Sequence, residues 1–126
     1  MKVIYIAGKY RDHRGEWFVK ENIRTAELAA ITVWRMGGVA ICPHKNTAFF
    51  GGTCDDSVWL AGDLELLRRC DAIFMLDNFM DSEGAKKELE FATESNIPAL
   101  YTVSDLADFL RTEDPGRCHD NMYKND

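Results

Sequence analysis

Four short apolar runs punctuate the chain, "VIYIA" (3–7), "VAIC" (39–42), "AIFML" (72–76) and "PALYTV" (98–103), and longer amphipathic segments separate them. "VIYIA" is apolar without a break and stops at Gly8, the pattern of a strand buried on both faces. From about Phe18 to Met36, Val19, Ile23, Ala26, Ala30 and Val33 recur at helical spacing, and "GG" at 37–38 is the stop signal. Leu60, Leu64 and Leu67 form one stripe of a helix from about Ser57 to Arg69. A third helix starts at Glu83, and a short one, "SDLADFLR", has Ser104 as its expected N-cap. Strands that alternate with helices predict a parallel sheet with crossover helices on both faces. The expected fold is a three-layer, Rossmann-like (flavodoxin-like) α/β domain with four to five strands. It occupies residues 1–110, and a polar tail follows over 111–126.

Composition narrows the classes of partner. A net charge of −6 and a pI near 5.0 argue against affinity for a nucleic-acid polymer, although a small anion can still find a local basic site. No stretch approaches the roughly twenty apolar residues of a membrane span. The start "MKVIYIAGKY" lacks the features of a secretory signal, so a cytoplasmic protein is expected. Cys42, Cys54, Cys70 and Cys118 are widely spaced with no CxxC, consistent with reduced thiols. Cys118 beside His119 is not a zinc-ligand pattern.

In such a sheet, ligands bind beyond the carboxyl ends of the strands. Three polar segments gather there: the loop after Gly8, the stretch "HKNTAFFGGTCDD" (44–56), and the turn before Glu83. "GKYR" (8–11) matches neither GxGxxG nor a P-loop. Gly8, Lys9 and Arg11 can seat an anion or can be a solvated basic loop. Asp81 or Ser82 can cap the helix that follows, Ser82 can instead serve a ligand, and Gly84 leaves room for close approach.

Along "DSEGAKKELEFA" (81–92), Glu83 should meet Lys87 and Lys86 should meet Glu90 at i,i+4. Glu88 has no such mate: Gly84, Ala85, Phe91 and Ala92 place it on the small, apolar side of the helix. Asp63 sits similarly beside Leu60 and Leu67. Two carboxylates that face one cleft are the parts of a retaining glycosidase, one attacking the anomeric carbon and the other handling the leaving group's proton. Each is also, taken singly, an ordinary helix-surface residue. His44 can act as a donor or acid, or make only a structural hydrogen bond.

"YIAG", "GDLELLRRCDAIFML" and "SEGAKKELEFA" together resemble the nucleoside 2-deoxyribosyltransferase superfamily, and within it the 2′-deoxynucleoside 5′-phosphate N-hydrolase branch, over about residues 2 to 95. The resemblance implies that Glu88 is the nucleophile, that Asp63 contacts the sugar and helps protonate the departing base, and that Tyr5 stands near the nucleophile and the sugar. It implies further that Gly8 and Arg11 frame base and phosphate, that Ser82 belongs to a phosphate site, and that His44 lies where the hydrolases also carry a histidine. The implied activity is hydrolysis of a (deoxy)nucleoside 5′-monophosphate to free base and sugar phosphate, through a glutamyl intermediate. No metal or organic cofactor is needed. Base exchange is the alternative, and a non-catalytic nucleotide-binding module is a third reading. Relatives share sites between subunits, so a homodimer or larger is expected, with a neighbour's tail completing the cleft. The stretch 45–56 has no counterpart in the pattern and leaves the base unnamed.

Overall fold

In a computed structural model, which describes residues 1–112, the apolar runs become four parallel strands: β1 (Val3–Ala7), β2 (Val39–Ile41), β3 (Ala72–Met75) and β4 (Ala99–Leu100). Their order is β2-β1-β3-β4. β1 pairs with β2 from Val3 opposite Val39 and with β3 from Ile4 opposite Ala72. The helices are α1 (Glu16–Arg35), α2 (Pro43–Asn46), α3 (Asp56–Arg68), α4 (Glu83–Glu94) and α5 (Val103–Arg111), and a 3-10 turn spans Asp77–Asp81. None of these helices is long and apolar enough to cross a membrane. Most of the expected tail, including Cys118 and His119, lies outside the described residues; Arg111 ends α5.

Alternation along the two central strands divides the core. Ile4, Ile6, Ala72, Phe74 and Leu76 pack with Ala26, Ala30 and Val33 of α1 and Leu106 of α5. Tyr5, Ala7, Ile73 and Met75 point the other way, against Leu67 of α3 and Ala85 and Ala92 of α4. This is the three-layer Rossmann-like arrangement expected, with each fully buried aliphatic side chain worth ~2 kcal/mol. The split sends the Tyr5 ring to the α4 side.

Three local expectations are corrected. β4 is two residues long, not six, because Asp105 diverts the backbone after it: its carboxylate accepts from the N–H groups of Tyr101 (3.0 Å) and Thr102 (3.2 Å). The N-cap of α5 is accordingly Thr102, whose Oγ1 accepts from Asp105 N at 3.0 Å in a capping box, and Ser104 falls inside the first turn. The stretch after Pro43, read as loop, begins with the single turn of α2, where proline is favoured at the first helical position.

Gly8 is required by packing. A Cβ there would stand 2.5 Å from Leu76 Cδ1, 2.8 Å from Leu76 Cβ and 2.9 Å from Asn78 Oδ1. The same Asn78 Oδ1 accepts from Lys9 N at 2.9 Å, so the close approach ties the loop after β1 to the turn after β3. Gly8→Ala is expected to cost about 1–3 kcal/mol in chemical denaturation, the range for overpacking, and to loosen that loop. An unchanged midpoint would show that Leu76 and Asn78 yield freely.

Candidate active site

The carboxyl ends of β1 and β3 open into a cleft of about 540 Å³ between the loop after Gly8, α2, α3 and the start of α4. Ser82 caps α4, with its Oγ accepting from Ala85 N at 3.0 Å, which fixes the helix's rotation on the sheet. Ala85, Glu88 and Ala92 then form the buried face, at spacings of three and four. Glu88 is 8% exposed, and the Tyr5 hydroxyl, itself without solvent exposure, donates to its Oε2.

Burial raises the Glu88 carboxyl to about 8; the Tyr5 hydrogen bond opposes the rise and the nearby charge of Asp63 adds to it. Asp63, half-buried on α3, is raised to about 6 by burial. The Tyr5 phenol is pushed far up, first by burial and then by the two carboxylates, and stays a donor. Of the two carboxyls, the more deeply buried Glu88 holds its proton to higher pH than Asp63. The two titrate as one coupled system.

His44 follows Pro43 in α2, where it is 6% exposed. Its Nε2 lies 2.9 Å from the carbonyl of Lys9, and burial lowers its pKa, so the neutral ring donates Nε2–H to that carbonyl. The ring meets Tyr10 edge-on at 5.7 Å, and the Tyr10 hydroxyl accepts from Phe49 N at 2.7 Å. His44 thus holds the Gly8 loop in shape while lining the cleft.

The two cations of "GKYR" also line the cleft, each with a carboxylate partner: Lys9 with Asp12 at 3.3 Å and Arg11 with Asp56 at 2.5 Å. Lys86 pairs with Glu83 at 3.1 Å, one residue short of either expected i,i+4 pair. That leaves Lys87, at the rim beside Gly84, with no ionic partner among the described residues. A Cβ on Gly84 would touch only Ser82 Oγ, at 3.8 Å, so the backbone there is open to a ligand.

All nine candidates, Tyr5, Gly8, Lys9, Arg11, His44, Asp63, Ser82, Gly84 and Glu88, come to this part of the fold, and eight of them line the cleft directly. Tyr5 reaches it through Glu88. Sequence reasoning missed Lys87, Asp56 and Trp59 as lining residues. Trp59, one helical turn before Asp63, was detectable from that spacing; Asp56 ends the stretch 44–56 already placed at this edge, and Lys87 gave no signal.

Residues 2–101 match the model of the family described as Domain of unknown function (DUF4406). The chain belongs to that family. Its fold is similar to that of the 2-deoxyribosyltransferase from the psychrotolerant bacterium Bacillus psychrosaccharolyticus, with a TM-score of 0.61 and 17% identity over 88% of this chain and 92% of that one. No curated protein matches the sequence. The likeness is one of fold.

Proposed function

We propose that the chain is an N-glycosidase that hydrolyses a (deoxy)nucleoside 5′-monophosphate to free base and (deoxy)ribose 5-phosphate. The observation that carries this reading is the buried Tyr5–Glu88 pair, facing a cleft that also receives Asp63. Glu88, with its proton passed on, attacks the anomeric carbon while Asp63 protonates the leaving base. The new glycosyl ester is then opened by water, with Asp63 as the base. The reactive arrangement has the proton on Asp63 and the charge on Glu88, the reverse of their resting order of ionisation, and positive charge growing on the sugar favours it. Tyr5 holds the Glu88 carboxylate in one orientation and is too hard to ionise to compete as a nucleophile.

Gly84, Ser82 and unpaired Lys87 offer the 5′-phosphate a seat at the start of α4, and Arg11 can join only by sharing itself with Asp56. A charge-assisted phosphate contact is worth about 1.5–3 kcal/mol, so kcat/KM for a monophosphate should exceed that for its nucleoside by at least about tenfold. Equal values would remove the phosphate site. The 2-deoxyribosyltransferase fold keeps base exchange as the second reading. Chromatography of products from a panel of ribo- and deoxyribonucleoside monophosphates, with and without acceptor base, separates the two. No released base from any member would leave only a binding module.

A homodimer or larger assembly, whose neighbour closes the cleft, is part of this reading. Trp17 and Trp34 on α1 are 63% and 55% exposed, and both need cover. Light scattering at assay concentration should give at least twice the chain mass; a fully active monomer would end the shared-site idea.

A further inference from the structure

Among the described residues, one buried side-chain nitrogen or oxygen has no hydrogen-bond partner: Nε1 of Trp59. Buried indole N–H groups almost always find an acceptor, and an orphan of this kind calls for a cause. Phenylalanine would fill the same wall without the unmet donor.

The location supplies a cause. Trp59 lines the cleft from α3, four residues before Asp63 and therefore on the same helical face, about one 5.4 Å turn away. If Asp63 delivers the proton to the departing base, the base lies against α3 at that point. Its flat ring is long enough to reach the indole of Trp59. Thr47 and Gly51 line the cleft too, and Phe50 stands edge-on to the indole at 6.0 Å.

We propose that Trp59 is a base-recognising residue, whose indole N–H donates a hydrogen bond to an acceptor atom, a carbonyl oxygen or an unprotonated ring nitrogen, on the leaving nucleobase. The proposal rests on the nucleotide reading above and extends it to the part of the site that the sequence left unnamed. Because Nε1 is out of solvent contact in this structure, the acceptor reaches it only after a small shift of a neighbouring side chain. Phe50, 48% exposed, is a neighbour with room to move. A base-shaped ring with no acceptor would still fill the cleft, yet would leave the donor unmet, so discrimination arises from the unpaired group.

The test uses the ¹⁵N-labelled full chain and non-cleavable C-nucleoside 5′-monophosphates carrying a purine-like, a uracil-like or a plain phenyl ring. Three indole signals are expected, from Trp17, Trp34 and Trp59. The signal missing from Trp59→Phe identifies that of Trp59, with Trp17 and Trp34 left in place. The Trp59 indole proton should move downfield with at least one acceptor-bearing ring and stay in place with phenyl. Trp59→Phe should weaken that acceptor-bearing ligand about tenfold and the phenyl ligand hardly at all. Binding seen at the amides of Gly84 or Lys87 with no movement of the Trp59 indole, or an equal loss for both ring types in Trp59→Phe, overturns the proposal and leaves the nucleotide reading standing. No perturbation by any of the three ligands overturns both.

Discussion

Glu88→Gln is expected to lower the rate of base release by at least about a thousandfold, ~4 kcal/mol of barrier, while nucleotide binding changes little. The substitution keeps the shape of the side chain and an oxygen for the Tyr5 hydroxyl to donate to, so the buried face of α4 stays packed on the sheet. What is lost is the ability to carry negative charge and to form an ester with the sugar. Comparison with Glu88→Ala separates chemistry from packing: both should be inactive, and only Ala opens a void beside Ala85 and Ala92. A Gln variant that retains a tenth of the wild-type rate would put less than about 1.4 kcal/mol at stake and exclude Glu88 as nucleophile.

The parts of this site legible in the sequence were those set by short-range periodicity. An unbroken apolar run marked β1, the period of the helix put Glu88 among alanines, and the turn before Glu83 narrowed the cap to Asp81 or Ser82, of which the structure uses Ser82. The order of elements followed for the same reason. Choices among chemically similar neighbours were not legible. Thr102 and Ser104 are both good N-caps, and only the reach of Asp105 back to Tyr101 N decides between them. Glu83 had Lys86 and Lys87 within range, and its choice of Lys86 is what leaves Lys87 unpaired at the cleft. Long-range contacts were out of reach altogether. The Tyr5–Glu88 hydrogen bond joins residues 83 positions apart, and the bond from His44 to the Lys9 carbonyl depends on a turn of helix where loop was expected. Periodicity gives the face of a side chain; the partner comes from the packing of elements.

The same glutamate should make the protein less stable as pH rises, and Glu88→Gln should abolish that loss. A glutamate in the unfolded chain titrates near 4.5, whereas burial holds Glu88 in the fold near 8. Between those values the folded protein keeps a proton that the unfolded chain has released, so stability declines with increasing pH. The contribution of the neutral buried acid is complete below about 4.5, drains away between about 4.5 and 8, and has gone above that. The span corresponds to a decline on the order of 4 kcal/mol. Glutamine cannot ionise; groups away from the cleft are common to both proteins and cancel, while Asp63, coupled to Glu88, titrates more easily once that charge is removed. Thermal denaturation should therefore find the variant within about 1 kcal/mol of wild type at pH 4.5 and more stable by a few kcal/mol at pH 8.5. For a chain of this size that is a gain of roughly 5–15 °C in Tm. An offset equal at both pH values would mean that water or a cation already stabilises the Glu88 charge in the free protein. A gain confined to high pH would show that the fold accepts an unfavourable buried acid here, as expected where a carboxylate is kept for reaction and not for support.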